Sequence, residues 1–268
     1  MAEDLVRVVP EDEPEKDPKP AASATGDDSP PYQSRFQLVF GVLLGVAMAA
    51  VVATVLVIAG GRKQDDPGAS TWAVWHPTTS DGLEAVNQIA EHVGQRYTLP
   101  SGNQLVAVRG GALELANLPV TIAIEQSGNV KILDEKGVLF NLCGLGENCS
   151  IKEGKPTYER SLVLRREALE LALYTFRYIK NVDQVVTILP PRKGQKPGYA
   201  MFYRRDDVGA SLNRPLAATL PGSPPIPPDV PKTEQAFINS LTSRNFFAFT
   251  PQEGGDAHIY LVLRPPSG

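Results

Sequence analysis

The longest apolar run in the chain is Leu38–Ala59, which contains no charged residue. A helix over these 22 positions would be about 33 Å long, enough to cross the hydrocarbon core of a bilayer. An isolated segment in lipid has to be helical, because its backbone groups find no other hydrogen-bond partners there. The pattern therefore predicts a single-pass membrane protein whose transmembrane helix lies within residues 36–60.

Three segments after the span have helical patterns. Asp81–Arg96 is amphipathic, and its first residues, Asp81 and Glu84, have the spacing of a capping box. Its apolar face is predicted to consist of four residues, Leu83, Val86, Ala90 and Val93. His92 lies on the opposite face, where a solvated side chain is expected. Shortly before this helix stand Trp72 and Trp75, which are expected to pack into the core and could alternatively lie at a membrane interface.

Ser161–Lys180 is apolar around most of its circumference, so we expect a helix buried on more than one side. Arg165, Arg166 and Glu170 are expected to form its narrow polar edge. A last helix is predicted over Thr233–Thr242.

Eight segments have patterns typical of β-strands, with Gly, Asn, Ser and Pro turn signals around them. They are Leu105–Val108, Val120–Glu125, Val130–Leu133, Val138–Leu142, Gln184–Leu189, Tyr199–Tyr203, Phe246–Phe249 and His258–Leu263. The first four are close together in the chain, which predicts an antiparallel meander with helices on one face. The predicted fold class is α+β, with a mainly antiparallel sheet and two to three helices.

Composition divides the chain into six segments. They are a disordered, acidic, proline-rich tail (1–34), the transmembrane helix (36–60), a linker (61–71), an α+β domain (72–220), a proline-rich connector (221–231) and a C-terminal helix with a hairpin (232–268). The connector has six prolines in eleven residues, a composition typical of an extended spacer. The C-terminal segment is too small to fold alone, so we expect it to dock on the main domain.

Charge is concentrated in the tail. Residues 1–34 carry nine acidic and three basic side chains, so the tail's −6 leaves about +2 for the rest of a chain with net charge −4. A nearly neutral domain has no strong field for nucleic acid, and no nucleic-acid partner is predicted. The tail has very few large apolar residues to bury, which predicts disorder. It is either a solvated spacer or a segment that binds a basic partner.

The orientation of the span is not decided by flanking charge, because Arg35 precedes it and Arg62 and Lys63 follow it. An acidic tail of this kind is seldom translocated, and the two cysteines suit an oxidising compartment. We therefore expect a cytoplasmic N-terminus and an extracytoplasmic C-terminal domain.

The chain has two cysteines, Cys143 and Cys149, and two glycines, Gly144 and Gly146, lie between them. The glycines permit a tight reversal that would bring the thiols together. A structural disulfide that pins a loop is the favoured interpretation, and a regulatory redox pair is the alternative. A metal site would need further ligands, and the three histidines have no ligand spacing. No cofactor or metal is predicted.

Within the span, small residues recur every four positions at Gly41, Gly45, Ala49 and Ala53. Such a stripe lets two helices approach closely, which predicts a homo-oligomer or pairing with another span. The alternative is that these residues reflect the ordinary composition of transmembrane helices.

Three segments carry a resemblance to a known group of proteins: Asn141–Ser150 (NLCGLGENCS), Arg165–Ala172 (RREALELA) and Ile188–Pro191 (ILPP). They resemble single-pass membrane proteins of the cell envelope of high-GC Gram-positive (actinobacterial) bacteria, over about Trp72–Leu220. The resemblance implies a cell-envelope setting. It implies no activity and no catalytic residues.

Motifs for catalysis are absent: there is no GxSxG, Walker loop, HExxH or dinucleotide fingerprint. The sequence therefore favours a membrane-anchored extracytoplasmic interaction or scaffolding module with an unknown protein partner. The first alternative is an anchored envelope hydrolase whose catalytic residues are dispersed in the sequence. The second is a transmembrane sensor that responds through Cys143 and Cys149.

Overall fold

The computed structural model describes residues 72–254 and 258–266. All of them belong to one unit that runs from Pro67 to Gly268. Among these residues, no helix has the length and apolar character needed to span a membrane. The predicted span and its four small residues, Gly41, Gly45, Ala49 and Ala53, lie outside the described residues, as does the acidic tail.

The described residues contain five α-helices. They are α1 (Gly82–Arg96), α2 (Tyr158–Tyr178), α3 (Gly209–Leu212), α4 (Leu216–Thr219) and α5 (Lys232–Thr242). The three longer helices confirm the helical segments predicted from periodicity. Their boundaries differ from the predicted ones by no more than three residues at either end. The short helices α3 and α4 were not predicted, because a single turn leaves no periodicity to detect.

The N-terminus of α1 differs from the prediction. Asp81 occupies the N-cap position, but its side chain makes no capping hydrogen bond. Glu84 does not complete a capping box, because its carboxylate accepts a hydrogen bond from Gln88 Nε2 at 2.9 Å. Gln88 Oε1 in turn accepts from the backbone N–H of Thr78 at 2.8 Å. Leu83 is 56 % exposed and does not belong to the buried face.

Nine strands form one mixed sheet in the described part of the chain. They are β1 (Ala107–Ala112), β2 (Glu114–Leu115), β3 (Leu118–Gln126), β4 (Asn129–Leu133), β5 (Gly137–Cys143), β6 (Gln184–Ile188), β7 (Tyr199–Arg204), β8 (Phe246–Glu253) and β9 (Ile259–Arg264). The sheet order is β1-β5-β6-β7-β8-β9-β3-β2, and β4 pairs with β3. The fold class is thus α+β with a mostly antiparallel sheet, as predicted.

The predicted meander is wrong in its pairing. β3 and β4 form an antiparallel hairpin, but β5 leaves them and inserts between β1 and β6. The β5–β6 and β3–β9 pairs are parallel. Parallel neighbours need a crossover, and α2 lies in the chain between β5 and β6.

The two ends of the sheet meet. β1 pairs with β5 and β2 pairs with β3, yet only Leu113 separates β1 from β2 in the chain. The sheet therefore curves round on itself in the manner of a β-barrel. Alternate side chains of its strands point inward. They form a core cluster of Val120, Ile122, Leu133, Leu139, Val186, Ile188, Ala200, Phe202, Ile259, Leu261 and Leu263.

A second core lies between the outer side of this sheet and the helices. The same strands supply it with their other side chains, among them Phe140 and Tyr203, and α1 and α2 cover it. Every residue of α2 from Leu162 to Phe176 is buried, which confirms burial on more than one side. The C-terminal hairpin of β8 and β9 lies within the sheet, between β7 and β3.

Candidate functional site

The loop that follows β5 is closed by Cys143 and Cys149, which lie at disulfide distance with 4.3 Å between their Cα atoms. Two backbone hydrogen bonds tie the loop further, from Gly144 N–H to Cys149 O at 2.9 Å and from Gly146 N–H to Ser150 O at 2.8 Å. The predicted proximity of the two thiols is confirmed. We refer to Cys143–Cys149 as the disulfide loop.

Gly144 is required by a close approach within this loop. A Cβ atom at this position would lie 2.5 Å from the carbonyl oxygen of Ser150 and 2.7 Å from the nitrogen of Ile151. Both are backbone atoms, so they cannot move aside without opening the loop. The absence of a side chain at Gly144 lets the chain fold back tightly after β5.

The disulfide loop forms one wall of a cavity of about 740 Å³. Gly144 and Leu145 come from the loop, while residues 99–105 and 152–160 supply the remaining walls. Leu145 is 47 % exposed, although its backbone is fixed by the loop. None of the three histidines belongs to the lining of this cavity.

Arg160 lies at the buried end of this cavity and is only 2 % exposed. Its guanidinium donates to two backbone carbonyl oxygens, those of Glu153 and Leu105, the second at 3.0 Å. These bonds join the start of α2 to the segment just before it and to the wall formed by residues 99–105. At the rim, Asn103 Nδ2 donates to the Glu153 carboxylate at 3.1 Å. Hydrogen bonds from Ser101 and Asn103 lower the pKa of Glu153.

A buried ionic cluster lies further along α2. The Tyr97 hydroxyl donates to Glu170 Oε2 at 2.7 Å and accepts from Arg166 Nη1 at 2.9 Å. Arg96 forms an ion pair with Glu170, and Arg166 Nη1 lies 3.8 Å from the same carboxylate. Burial, together with Glu170, raises the pKa of Tyr97, so its hydroxyl remains a donor at ordinary pH.

Glu167 lies beside this cluster without joining it. Its side chain is fully buried, and neither carboxyl oxygen has a hydrogen-bond partner among the described residues. Burial, followed by the nearby charge of Glu170, raises the pKa of Glu167 well above its usual range. Burial therefore favours the neutral form of this carboxyl group in the folded protein.

The predicted polar edge of α2 is thus wrong. Arg165, Arg166 and Glu170 are each at most 4 % exposed. Arg165 Nε donates to Thr242 Oγ1 of α5 at 2.9 Å. These charged side chains are buried because other elements of the fold supply their partners.

His92 is partly buried, whereas a solvated side chain was expected. Its ring stacks on Trp75 with 3.9 Å between the ring centroids and an angle of 3° between the planes. Burial, and secondarily Arg96, lowers the pKa of His92. Trp72 is 6 % exposed and packs edge-on against Tyr174, which confirms core packing for this tryptophan.

No group of His, Cys, Asp and Glu side chains with the geometry of a metal site occurs among the residues described. Comparisons of the chain with protein-family models, curated proteins and solved structures find no match.

Proposed function

We propose that the chain is a membrane-anchored extracytoplasmic interaction module of the cell envelope, and that the disulfide loop is its contact surface. The observation that carries this proposal is the cavity of about 740 Å³ walled by that loop. Its volume falls in the range of about 300–1,000 Å³ that is usual for small-molecule pockets. The predicted span would hold the domain at the membrane, with the tail of residues 1–34 on the cytoplasmic side.

Leu145 supports the loop as a contact surface. It is a large apolar side chain, about half exposed, on backbone that is fixed by the bond between Cys143 and Cys149 and by backbone hydrogen bonds. A rigid apolar anchor loses little conformational freedom when a partner covers it. Amide and charged groups at Asn103, Gln104 and Lys152 surround the same opening. An apolar anchor with a polar rim is the usual composition of a protein interface.

The hydrolase alternative has less support from this geometry. Hydrolysis by dispersed residues needs a base and a nucleophile that converge on a cavity. The cavity beside the disulfide loop has one carboxylate in its lining, Glu153, which is held by Asn103.

The proposal also includes a second copy of the chain as a partner within the membrane, through the stripe that begins at Gly41.

Leu145→Asp in the full-length chain is expected to weaken binding of the partner protein. A charge at the anchor should lower recovery of the partner by about tenfold or more, because a central apolar anchor contributes about 2 kcal/mol or more to binding. The measurement is affinity capture of the tagged chain from gently solubilised membranes, with quantification of co-purified proteins. Leu83→Asp is the matched control, because Leu83 is a similarly exposed leucine outside the cavity lining.

Capture with Leu83→Asp should equal that of the unchanged protein. Full recovery with Leu145→Asp would contradict the assignment of the surface. Failure to recover any specific partner under several solubilisation conditions would contradict the interaction function itself.

A further inference from the structure

The cavity beside the disulfide loop has an unbalanced charge. Two cations, Lys152 and Arg160, and one anion, Glu153, belong to its lining. Lys152 is exposed and forms no ion pair within 4.0 Å in the described part of the chain, so its ammonium group remains available. The lining therefore carries a net charge of about +1, by the ordinary charges of these groups at pH 7.

The charge of Arg160 is not neutralised by a carboxylate bonded to it. Its guanidinium donates to the carbonyl oxygens of Leu105 and Glu153, which are neutral groups, and its Nε has no hydrogen-bond partner among the described residues. The Glu153 carboxylate is solvent-exposed and accepts its hydrogen bond from Asn103 instead. Glu153 and Glu167 interact electrostatically with Arg160 without a hydrogen bond to it, and burial raises the pKa of Glu167, which favours its neutral form.

A buried cation whose direct hydrogen-bond partners are all neutral carbonyl groups is costly to bury. Arg160 cannot relieve this by turning outward, because two carbonyl groups on two different walls hold its guanidinium. An anion bound in the cavity would offset the charge. A group with one negative charge matches the net charge of the lining, whereas a phosphate dianion exceeds it.

The remaining lining indicates what accompanies that anion. Leu99, Leu105 and Leu145 present apolar surface, and Asn103 and Gln104 present amide groups. Amides pair well with peptide bonds, since each offers a donor and an acceptor. Apolar surface beside amides and a single excess cation is complementary to a peptide end with an apolar last residue.

We propose that this cavity binds the free C-terminal carboxylate of a peptide or protein whose last residue is apolar. The inference rests on the proposed function, because it names the chemistry of the partner at the same surface. The carboxylate lies towards Lys152 and Arg160, and the last side chain packs against the leucine walls. The preceding peptide group meets Asn103 and Gln104.

The test uses the full-length chain in detergent micelles and two defined probes, N-acetyl-Leu-Leu and its C-terminal amide. Binding is measured by saturation-transfer NMR on the leucine methyl groups of each probe. The free acid is expected to bind about tenfold more tightly than the amide, because the amide lacks the charge. Lys152→Gln should weaken binding of the free acid severalfold and leave binding of the amide unchanged.

Lys193→Gln is the matched control, since Lys193 is an exposed lysine outside the cavity lining. Lys152 is preferred to Arg160 as the variant, because Arg160 also joins two walls and its loss would disturb folding. Equal binding of acid and amide would overturn the carboxylate assignment and leave the cavity as an interaction surface. Absence of binding by both probes would overturn the inferred ligand class, while the proposed function would still be judged separately by capture with Leu145→Asp.

Discussion

Glu170→Gln is expected to lower the free energy of unfolding by about 3–5 kcal/mol, the usual effect of removing one partner from a buried ion pair. The Glu170 carboxylate accepts from the Tyr97 hydroxyl, pairs with Arg96 and lies 3.8 Å from Arg166 Nη1. Arg166 is 1 % exposed, so the substitution leaves a buried cation without its nearest anion. The other carboxylate near Arg166, that of Glu234, is 4.0 Å from Nε.

The measurement is urea unfolding of the full-length chain in mild detergent, followed by tryptophan fluorescence. Trp72 and Trp75 are the only tryptophans in the sequence, and both belong to the described part. The signal therefore reports on this unit alone. A Glu170→Gln variant within about 1 kcal/mol of the unchanged protein would contradict the stabilising role of the cluster.

Glu167→Gln is the matched control on the same helix. Burial favours the neutral form of Glu167, which has no hydrogen-bond partner among the described residues, so the change should cost less than about 1 kcal/mol near pH 5. Because the folded state raises the pKa of Glu167 from its usual value of 4.5, the contribution of Glu167 to stability declines as pH rises above that value. Glutamine does not ionise, so the free energy of unfolding of the variant should rise relative to that of the unchanged protein as pH increases. A similar loss of stability in Glu170→Gln and Glu167→Gln would show that the effect comes from the buried position on α2 and not from the charge of Glu170.

Replacing Cys143 and Cys149 together by serine is expected to lower the free energy of unfolding by about 2 kcal/mol, the loop-entropy value for so short a ring. The effect is moderate because backbone hydrogen bonds from Gly144 and Gly146 also close the loop. The double substitution should weaken binding at the cavity more than it lowers stability, because the wall formed by Leu145 loses its fixed position. Urea unfolding and the capture assay with the double variant measure the two effects.

Reduction of the unchanged protein by a phosphine reagent is the internal control for this variant. Reduction should reproduce the shift of about 2 kcal/mol in the unchanged protein and have no effect on the double serine variant. If reduction leaves unfolding and capture unaltered, the disulfide neither stabilises the loop nor shapes the contact surface.

Local patterns in the sequence were sufficient to predict the three longer helices and the approximate positions of most strands. Strand pairing was not predictable in the same way. The parallel pair of β3 and β9 joins Val120 to Ile259 across more than half of the described chain. Nothing in either strand specifies its neighbour, and the closure of the sheet through Leu113 depends on all of the pairings together.

The buried charges of α2 were missed for a different reason. Charged residues on a helix are usually exposed, so Arg165, Arg166 and Glu170 were expected at an edge. At 100° per residue, Arg165 and Glu170 are about 140° apart around the axis, which is too far for a narrow edge on a helix this apolar. That angle was a signal available in the sequence. The partner at Tyr97 was not, because it lies 73 residues away from Glu170.

The disulfide loop was predictable because its residues are contiguous, whereas the cavity beside it was not. Its lining comes from three separate segments, around Leu99, Leu145 and Arg160. These meet only because β5 places Cys143 next to β1, near the segment that contains Leu105. The site is a product of strand pairing, which local patterns do not reveal.

Thiol labelling on intact cells tests whether the disulfide loop is an extracytoplasmic surface. A membrane-impermeant maleimide is applied to cells that express the full-length chain, before and after mild reduction. Cys143 and Cys149 are the only cysteines, so any labelling reports on this loop. Labelling of intact cells is expected after reduction, and no labelling is expected before it. Labelling that requires cells to be opened would place the loop in the cytoplasm and contradict the proposed function.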